Sequence, residues 1–200
     1  TFVVITFVFD KVVAYLNTKN WSETLPKEAS DIYSSEEYAK SQKYEKVKYK
    51  FNLISSIFSF IVTILVLIFW GFWFLDNILR EFISNEILLS LSFFSIIFLL
   101  QTIIEIPFSY YFNFVIEESF WFNKMTKKLF FIDIIKSLIL TLIIGWAILA
   151  LILFIYSKIW ANFWIIAWLI LSVFSILMIM FYSSLIVPLF NKQTPLEDWE

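Results

Sequence analysis

Long apolar runs, separated by shorter polar segments, dominate this 200-residue chain. The clearest run, Asn52–Leu75, extends over 24 residues without a charge, and a helix needs about 20 apolar residues to cross a bilayer. The sequence predicts five such spans, at about residues 2–16, 52–75, 87–104, 137–157 and 159–187. A lipid-exposed segment must satisfy its backbone hydrogen bonds internally. The predicted fold is therefore an all-α integral membrane protein.

The first apolar run differs from the others because Asp10 and Lys11 interrupt it. The chain also begins at Thr1, without an initiator methionine, and enters apolar residues at once. A signal peptide would begin with a basic region instead. We interpret the first span as truncated and the chain as a fragment that begins inside it.

Residues 17–50 form the only extended polar segment, dense in both charge signs. Ser34 and Glu37 have the spacing of a capping box. Tyr44, Val47 and Phe51 recur at helical intervals. The pattern favours a surface helix that begins near residue 35 and runs directly into the second span. A solvated linker with scattered tyrosines is the alternative.

The distribution of basic residues predicts the orientation in the membrane. Eleven lysines lie in the first, third and last polar segments, whereas the other two segments hold only Arg80 and Lys158. Cytoplasmic segments carry the excess of Lys and Arg. We therefore expect residues 17–50, 105–131 and 188–200 to face the cytoplasm.

Composition narrows the possible functions further. Hydrophobic residues make up 60% of the chain, and the mean hydropathy is +0.82. The formal charge of −2 provides no basic field for nucleic acid. The chain has no histidine and no cysteine, so we expect it to bind no metal or other cofactor by itself. Glu117 and Glu118 are the one tight carboxylate pair, but adjacent helical residues point about 100° apart. They either bond across helices or are solvated.

The string Phe-Asn-Lys-x-Thr occurs twice, beginning at Phe122 and at Phe190. Each copy follows a predicted cytoplasmic helix end. There Asn and Lys can bind exposed carbonyls or cap the next element, while Phe stays in the interface. In a chain so rich in these three residues, coincidence is the competing explanation.

The surroundings of both copies make the pattern more specific. The first is Ile-Glu-Glu-Ser-Phe-Trp-Phe-Asn-Lys over residues 116–124, and the second is Pro-Leu-Phe-Asn-Lys-Gln-Thr-Pro-Leu-Glu over 188–197. The polar segment adds Leu-Pro-Lys-Glu at 25–28 and Glu-Tyr-Ala-Lys-Ser-Gln-Lys-Tyr at 37–44. In order and spacing, the chain resembles the amino-terminal membrane domain of the type I CAAX prenyl protease family. The resemblance covers residues 1–200.

This resemblance implies a membrane zinc metallopeptidase with a polar chamber among its helices. In that family an H-E-x-x-H helix supplies two zinc ligands and a general-base glutamate. We expect that motif, and with it the zinc and the peptidase domain, downstream of Glu200. The expected substrate is a protein or peptide, and the expected surroundings are the lipid bilayer. A noncatalytic scaffold or transporter-like bundle is the alternative. A reading frame that continues into H-E-x-x-H distinguishes the two.

Ionisable residues within or beside the spans are further site candidates, because such charges persist mainly where they face protein or water. Asp133 and Lys136 have i,i+3 spacing and can neutralise each other. The alternative places such residues at headgroup depth with extended stems, and we favour that for Lys136. The structural and substrate-chamber candidates are Glu105, Glu117, Glu118, Phe122, Asn123, Lys124, Asp133, Lys136, Pro188, Phe190, Asn191, Lys192 and Pro195.

Tryptophan and glycine contents are unusual, with 9 tryptophans and only 2 glycines. Trp121, Trp160 and Trp199 stand where the resembling family has glycine, and Trp146 is a fourth candidate. We hypothesise that UGA codons, translated here as tryptophan, encode glycine in the organism. A diverged sequence with genuine tryptophans is the alternative. Other tryptophans, including Trp70, fall near span ends, where an interfacial belt is the ordinary explanation. Richness in Ile, Phe, Lys and Asn suggests an AT-rich genome and a bacterial inner membrane, with the endoplasmic reticulum as alternative.

Overall fold

The computed structural model describes residues 2–19, 21–22, 24–25, 34–159 and 162–191, and within these it contains helices and no strand. The α-helices are α1 (Phe2–Thr18), α2 (Ser35–Ile68), α3 (Gly71–Phe82), α4 (Glu86–Tyr111), α5 (Lys127–Lys158), α6 (Phe163–Phe181) and α7 (Val187–Phe190). Two π-helical segments, Phe112–Glu117 and Tyr182–Ile186, continue α4 and α6. The predicted all-α membrane class is confirmed. Four helical stretches are long and apolar enough to span a bilayer: Ser35–Ile68, Glu86–Glu117, Lys127–Lys158 and Phe163–Phe190.

Helix α2 begins where the capping box predicts. The Ser34 side chain accepts a hydrogen bond from the Glu37 backbone N–H at 3.2 Å. The Glu37 carboxylate in turn accepts one from the Ser34 N–H, also at 3.2 Å. Two backbone N–H groups at the helix start, those of Ser34 and Glu37, are thereby satisfied. The helix then continues without interruption to Ile68, so the predicted surface helix that runs directly into the second span is confirmed.

The apolar run at residues 52–75 is divided between two helices, whereas the sequence predicted one span. Helix α2 ends at Ile68, and α3 starts at Gly71. A Cβ atom on Gly71 would lie 3.0 Å from Val66 Cγ1 and 3.2 Å from the Val66 carbonyl oxygen. The turn is therefore tight at this position, and a Cβ atom would require Val66 to shift by a few tenths of an ångström. Hydropathy does not register such a turn, because the residues on both sides are equally apolar.

Helix α4 extends further than the predicted span at 87–104. It passes through Glu105 and Pro107 to Tyr111 and continues as the π-helical segment. Proline removes one N–H from the helical ladder, yet the helix tolerates it. In the π segment, the Asn113 side-chain amide donates to the Ser109 carbonyl at 2.8 Å. In a regular α-helix the backbone N–H of residue 113 would donate to the Ser109 carbonyl. Here the Asn113 side chain donates to it instead and so replaces the backbone bond that the π-helical segment lacks.

The spans predicted at 137–157 and 159–187 also differ from the observed helices. Helix α5 starts at Lys127, ten residues before the predicted span at 137–157. The span predicted at 159–187 comprises α6, the second π-helical segment and the start of α7. Charged and polar helix ends lie outside an apolar window, which explains the early start of α5.

The chain divides into two compact units. The first comprises Thr1–Ile78 and Phe98–Lys124, and the second comprises Leu79–Ile97 and Met125–Glu200. In the first unit, α1 packs on α2 through stacked rings of Phe7 and Phe60, whose centroids are 4.0 Å apart. Most apolar side chains of the described helices are exposed, as expected for surfaces that face lipid. The buried apolar residues are Ile116 and Phe120 in the first unit, and Leu79, Leu89, Leu91 and Phe130 in the second.

Candidate functional site

One corner of the first unit joins the polar half of α2 to the end of the first π-helical segment. The Tyr44 hydroxyl donates a hydrogen bond to Oε1 of Glu117. Its ring makes edge contacts with Phe120, at 5.2 Å between centroids, and with Phe122, at 5.0 Å. The Lys40 ammonium lies 5.8 Å from the centre of the Phe122 ring. We call these five residues the Tyr44 corner.

The surroundings of Tyr44 favour the protonated form of its hydroxyl. Tyr44 lies in the charged part of α2, before the uncharged run that starts at Phe51. Partial burial and, to a smaller extent, the hydrogen bond to Glu117 raise the pKa of Tyr44 to about 12. The hydroxyl is protonated at neutral pH, as it would be at the ordinary tyrosine pKa of about 10, and serves as donor to the carboxylate. Of the two predicted alternatives for Glu117, bonding across helices is the one observed.

The first Phe-Asn-Lys string forms the turn between this corner and α5. The Asn123 side-chain amide donates to the Glu118 carboxylate at 2.9 Å. Lys124 is exposed. One prediction from the sequence was that Asn or Lys of this string caps the next helix. The N-cap of α5 is instead Thr126, whose hydroxyl accepts a hydrogen bond from the Leu129 N–H at 3.2 Å. Threonine is favoured at an N-cap because its short side chain reaches the backbone N–H groups of the first helical turn.

A polar groove lies between α2 and α4 within the first unit. Its cavity has a volume of about 250 Å³. Asn52 and Ser55 line it from α2, and Glu105 and Ser109 line it from α4. Glu105 also accepts a hydrogen bond from the Gln101 amide at 2.9 Å. The rest of the lining is aromatic and consists of Phe51, Phe108 and Phe112. Of the predicted candidates, Glu105 thus lies with three other polar side chains in an open groove between two long apolar helices.

In the second unit, Lys136 connects α5 to α7. Its ammonium donates to the Leu189 carbonyl at 2.9 Å and lies 3.7 Å from Asp133 Oδ1. It also lies 5.8 Å from the centre of the Phe190 ring. The predicted i,i+3 pairing of Asp133 with Lys136 is confirmed, and the contact with the Pro188–Asn191 turn was not predicted.

The second Phe-Asn-Lys string follows α7, a single turn with Pro188 near its start. The Asn191 backbone N–H donates to the Val187 carbonyl at 2.9 Å, and its side chain is exposed. Lys192 and Pro195 lie outside the described residues, as do Trp160 and Trp199. Both copies of the string come shortly after a π-helical segment, at Phe112–Glu117 and Tyr182–Ile186. Sequence periodicity gave no signal for these segments.

The residues present do not fit a zinc site. Within the described part of the chain, no group of three or more His, Cys, Asp or Glu side chains could hold a metal ion. The whole sequence lacks histidine and cysteine. The Glu117 and Glu118 carboxylates are engaged by Tyr44 and Asn123. No catalytic step through a metal can be built from these side chains.

The long apolar helices and their exposed apolar surfaces define an all-α, multi-pass integral membrane protein. The family described as CAAX prenyl protease N-terminal, with five membrane helices, matches residues 14–192. This chain belongs to that family.

Three relatives illustrate the similarity. The CAAX prenyl protease 1 homolog of Dictyostelium discoideum is 37% identical over 178 residues, covering 86% of this chain and 42% of that protein. CAAX prenyl protease 1 of Saccharomyces cerevisiae is 35% identical over 205 residues, covering 97% of this chain and 45% of that protein. The crystal structure of S. mikatae Ste24p matches all of this chain and 48% of that one, with a TM-score of 0.89 at 34% identity. The chain therefore spans about half the length of these relatives.

Proposed function

We propose that this chain forms the substrate-holding membrane domain of a zinc-dependent endopeptidase of the CAAX prenyl protease type. The names of the relatives support the peptidase class. The zinc and its ligands are proposed to belong to a peptidase domain downstream of Glu200. Under this proposal the present residues hold and orient a protein or peptide substrate and do not cleave it.

The polar groove between α2 and α4 carries the proposal. Asn52, Ser55 and Ser109 offer donors and acceptors that a peptide backbone can use, and Glu105 adds a charge. Such groups are costly on membrane helices unless they face protein, water or a bound ligand. Phe51, Phe108 and Phe112 provide apolar contact beside them. This mixture suits an extended peptide that carries apolar side chains.

The groove can be tested with serine variants in the full-length protein. Ser55→Val and Ser109→Val should each lower kcat/KM for a peptide substrate by about two- to tenfold, through loss of one hydrogen bond. Ser59→Val is the matched control, one turn further along α2 and exposed outside the groove. Equal activity of all three variants would contradict the groove's role. A reading frame without H-E-x-x-H would contradict the peptidase proposal itself.

We also propose that residues 17–50, 105–131 and 188–200 face the cytoplasm and that the two Phe-Asn-Lys turns form a rim that docks the peptidase domain. Asn123, Lys124, Asn191 and Lys192 are the rim residues in this proposal. Contact between Tyr44 and Glu117 supports a shared side for the first two segments. Asn191→Ala in the intact protein should lower peptidase activity or stability, and wild-type behaviour in both would remove that role.

The orientation has a direct test, because the chain contains no cysteine. Single cysteines introduced at Lys124 and Lys192 can be labelled with a membrane-impermeant maleimide in sealed vesicles. Both should react from the same side. Labelling from opposite sides would contradict the shared cytoplasmic rim.

The host membrane is a separate proposal. Composition favours a bacterial inner membrane, whereas the three relatives named above come from eukaryotes and give that assignment no support. The genomic sequence around the reading frame decides between a bacterial and a eukaryotic chromosome. A eukaryotic chromosome would favour the endoplasmic reticulum as the host membrane.

A further inference from the structure

A second cavity in the first unit lies between α1 and α2, with a volume of about 240 Å³. Lys11 of α1 and Lys48 of α2 both line it, together with Glu45. Trp21 and Tyr49 complete one wall, with their rings edge to face at 5.5 Å. The cavity is separate from the groove around Glu105, although both reach Asn52.

The charge pattern of α2 predicts headgroup depth for this cavity. It lies where the charged half of α2 gives way to the uncharged run that starts at Phe51. Tryptophan and tyrosine concentrate at that level of a membrane, and lysine stems reach toward it. A ligand of this cavity would thus come from the interface.

The charges of the cavity favour an anion. Lys48 lies 3.5 Å from Glu45, so that pair is neutral as a whole. Lys11 contributes an additional positive charge, and its ammonium lies 5.1 Å from the Phe7 ring. Basic pockets between membrane helices bind anionic headgroups, because the phosphate gains charged donors without leaving the interface. We propose that this cavity binds the phosphate of an anionic phospholipid.

Native mass spectrometry of the full-length protein tests this site, with phosphatidylglycerol or phosphatidylcholine added to the detergent solution. Wild-type protein should retain one phosphatidylglycerol in preference to phosphatidylcholine. The variant Lys11→Gln/Lys48→Gln should lower that retention by about tenfold, the effect of losing about 1.4 kcal/mol. The control Lys43→Gln/Lys50→Gln removes the same charge from exposed positions of α2 that do not line the cavity.

Three outcomes would overturn the proposal. Equal loss in both double variants would mean a diffuse electrostatic attraction. Equal retention of the two lipids by wild-type protein would remove the role of charge. Absence of any retained lipid would remove the site. Unchanged thermal unfolding of both variants without added lipid guards against misfolding as the cause of a loss.

A different observation concerns the backbone at two tryptophans. Trp70 has a φ of 55° and Trp121 a φ of 66°, and they are the non-glycine residues with positive φ within the described ranges. Left-handed backbone is a genuine outlier for a bulky residue. Gly71 and Gly145, by contrast, have no positive φ. The two places that demand glycine conformationally are thus occupied by tryptophan.

The hydrogen bonds around Trp121 identify the motif. The Phe122 N–H donates to the Glu117 carbonyl at 2.9 Å, and the Trp121 N–H donates to the Glu118 carbonyl at 3.1 Å. This pair of bonds is a Schellman motif with residue 121 at its left-handed position, which is usually glycine. The indole is 85% exposed, so its burial offsets little of the strain.

Trp70 occupies a similar place after α2. It follows the C-cap residue Phe69, whose N–H donates to the Leu65 carbonyl at 2.9 Å, and its side chain is 72% exposed. Trp146 differs from both. It lies inside α5, and its indole N–H donates to the Ser95 hydroxyl at 2.6 Å within the second unit. The geometry points to glycine as the residue that the cell inserts at positions 70 and 121, and to tryptophan at 146.

Codons and peptide masses test this assignment. We expect UGA at positions 70 and 121 and UGG at 146, and peptides of the native protein should have the mass of glycine at the first two positions. UGG at 70 or 121, or a peptide with tryptophan there, would overturn the assignment at that position. A UGA codon or a glycine mass at 146 would overturn the assignment of Trp146.

Discussion

The hydroxyl of Tyr44 on α2 donates a hydrogen bond to the carboxylate of Glu117, 73 residues further along the chain. Glu117 is the last residue of a π-helical segment, and its backbone carbonyl also closes the Schellman turn by accepting from the Phe122 N–H. One residue therefore fixes both the end of the helix and its contact with α2. Two sequence strings that resemble family motifs, at 37–44 and at 116–124, meet through this bond and through the contacts of Tyr44 and Lys40 with the rings of Phe120 and Phe122.

Removal of the Tyr44 hydroxyl should weaken the first unit. In Tyr44→Phe, the half-buried Glu117 carboxylate loses this donor, which we expect to cost about 1–3 kcal/mol. Thermal unfolding of the detergent-solubilised protein measures the loss. Tyr15→Phe is the control, because that side chain is 57% exposed and should change stability by less than about 0.5 kcal/mol.

A double-mutant cycle with Glu117→Met, which lacks a strong acceptor for the hydroxyl, separates the hydrogen bond from the ring contacts. The coupling between the two substitutions should account for most of the loss in Tyr44→Phe. Additive effects would contradict a direct bond, because the phenylalanine ring preserves the contacts with Phe120 and Phe122.

Local features of the structure were predictable from sequence, and long-range ones were not. The capping box at Ser34 and the pairing of Asp133 with Lys136 depend on residues three positions apart, so helical geometry alone brings them together. The bond from Tyr44 to Glu117 depends on the packing of two helices, which periodicity does not specify. Both residues nevertheless belong to strings whose resemblance to family motifs marked them in advance.

Helix interruptions were missed for a different physical reason. The break between Ile68 and Gly71 lies inside uniformly apolar sequence, and the two π-helical segments continue apolar helices with only two polar residues each. Hydropathy responds to the polarity of side chains, whereas these features depend on backbone conformation. Tryptophan at position 70 also conceals the signal that a glycine pair would have given.

Acid should loosen the start of α2. The hydrogen bonds from Ser34, first from its side chain and then from its backbone, hold the pKa of Glu37 below its usual value. A lowered folded-state pKa means that the stabilisation is present above the unfolded-state pKa and is lost as the pH falls through the folded-state value. Backbone chemical shifts of residues 34–40 during an acid titration should report this transition.

Two variants check the origin of that transition. Glu37→Gln preserves the capping geometry without an ionisable group at this position, so the transition assigned to Glu37 should disappear from the local shifts. Ser34→Ala should move the Glu37 titration to higher pH. Titration of Glu37 at the same pH in wild-type protein and in Ser34→Ala would contradict the assigned cause.

Glycine at position 121 should stabilise the protein. Trp121→Gly removes a left-handed non-glycine residue, a strain of about 1–2 kcal/mol, and its exposed indole contributes little burial. Trp146→Gly should have the opposite effect, because it removes the hydrogen bond to Ser95 and places glycine, a poorer helix former than tryptophan by roughly 0.5 kcal/mol, inside α5. Thermal unfolding of the two purified variants beside the parent measures both signs, and destabilisation by Trp121→Gly would contradict the strain.

Lys136 should stabilise the second unit through charge compensation as well as through its bond to α7. Its partner Asp133 is mostly buried, with 21% of the side chain exposed, whereas 41% of the Lys136 side chain is exposed. Lys136→Met removes the donor to Leu189 and leaves the carboxylate without this cation. We expect a loss of about 1–2 kcal/mol, less than for a fully buried pair because solvent screens the lysine.

The double variant distinguishes the two contributions of Lys136. Asp133→Asn/Lys136→Met removes the uncompensated carboxylate charge but does not restore the hydrogen-bond donor to Leu189. The double variant should therefore recover part of the stability lost in Lys136→Met. Lys158→Met, at the exposed far end of α5, controls for the general loss of a lysine. If the double variant is no more stable than Lys136→Met, the bond to the Leu189 carbonyl accounts for the effect of Lys136, and the ion pair with Asp133 contributes nothing to folding.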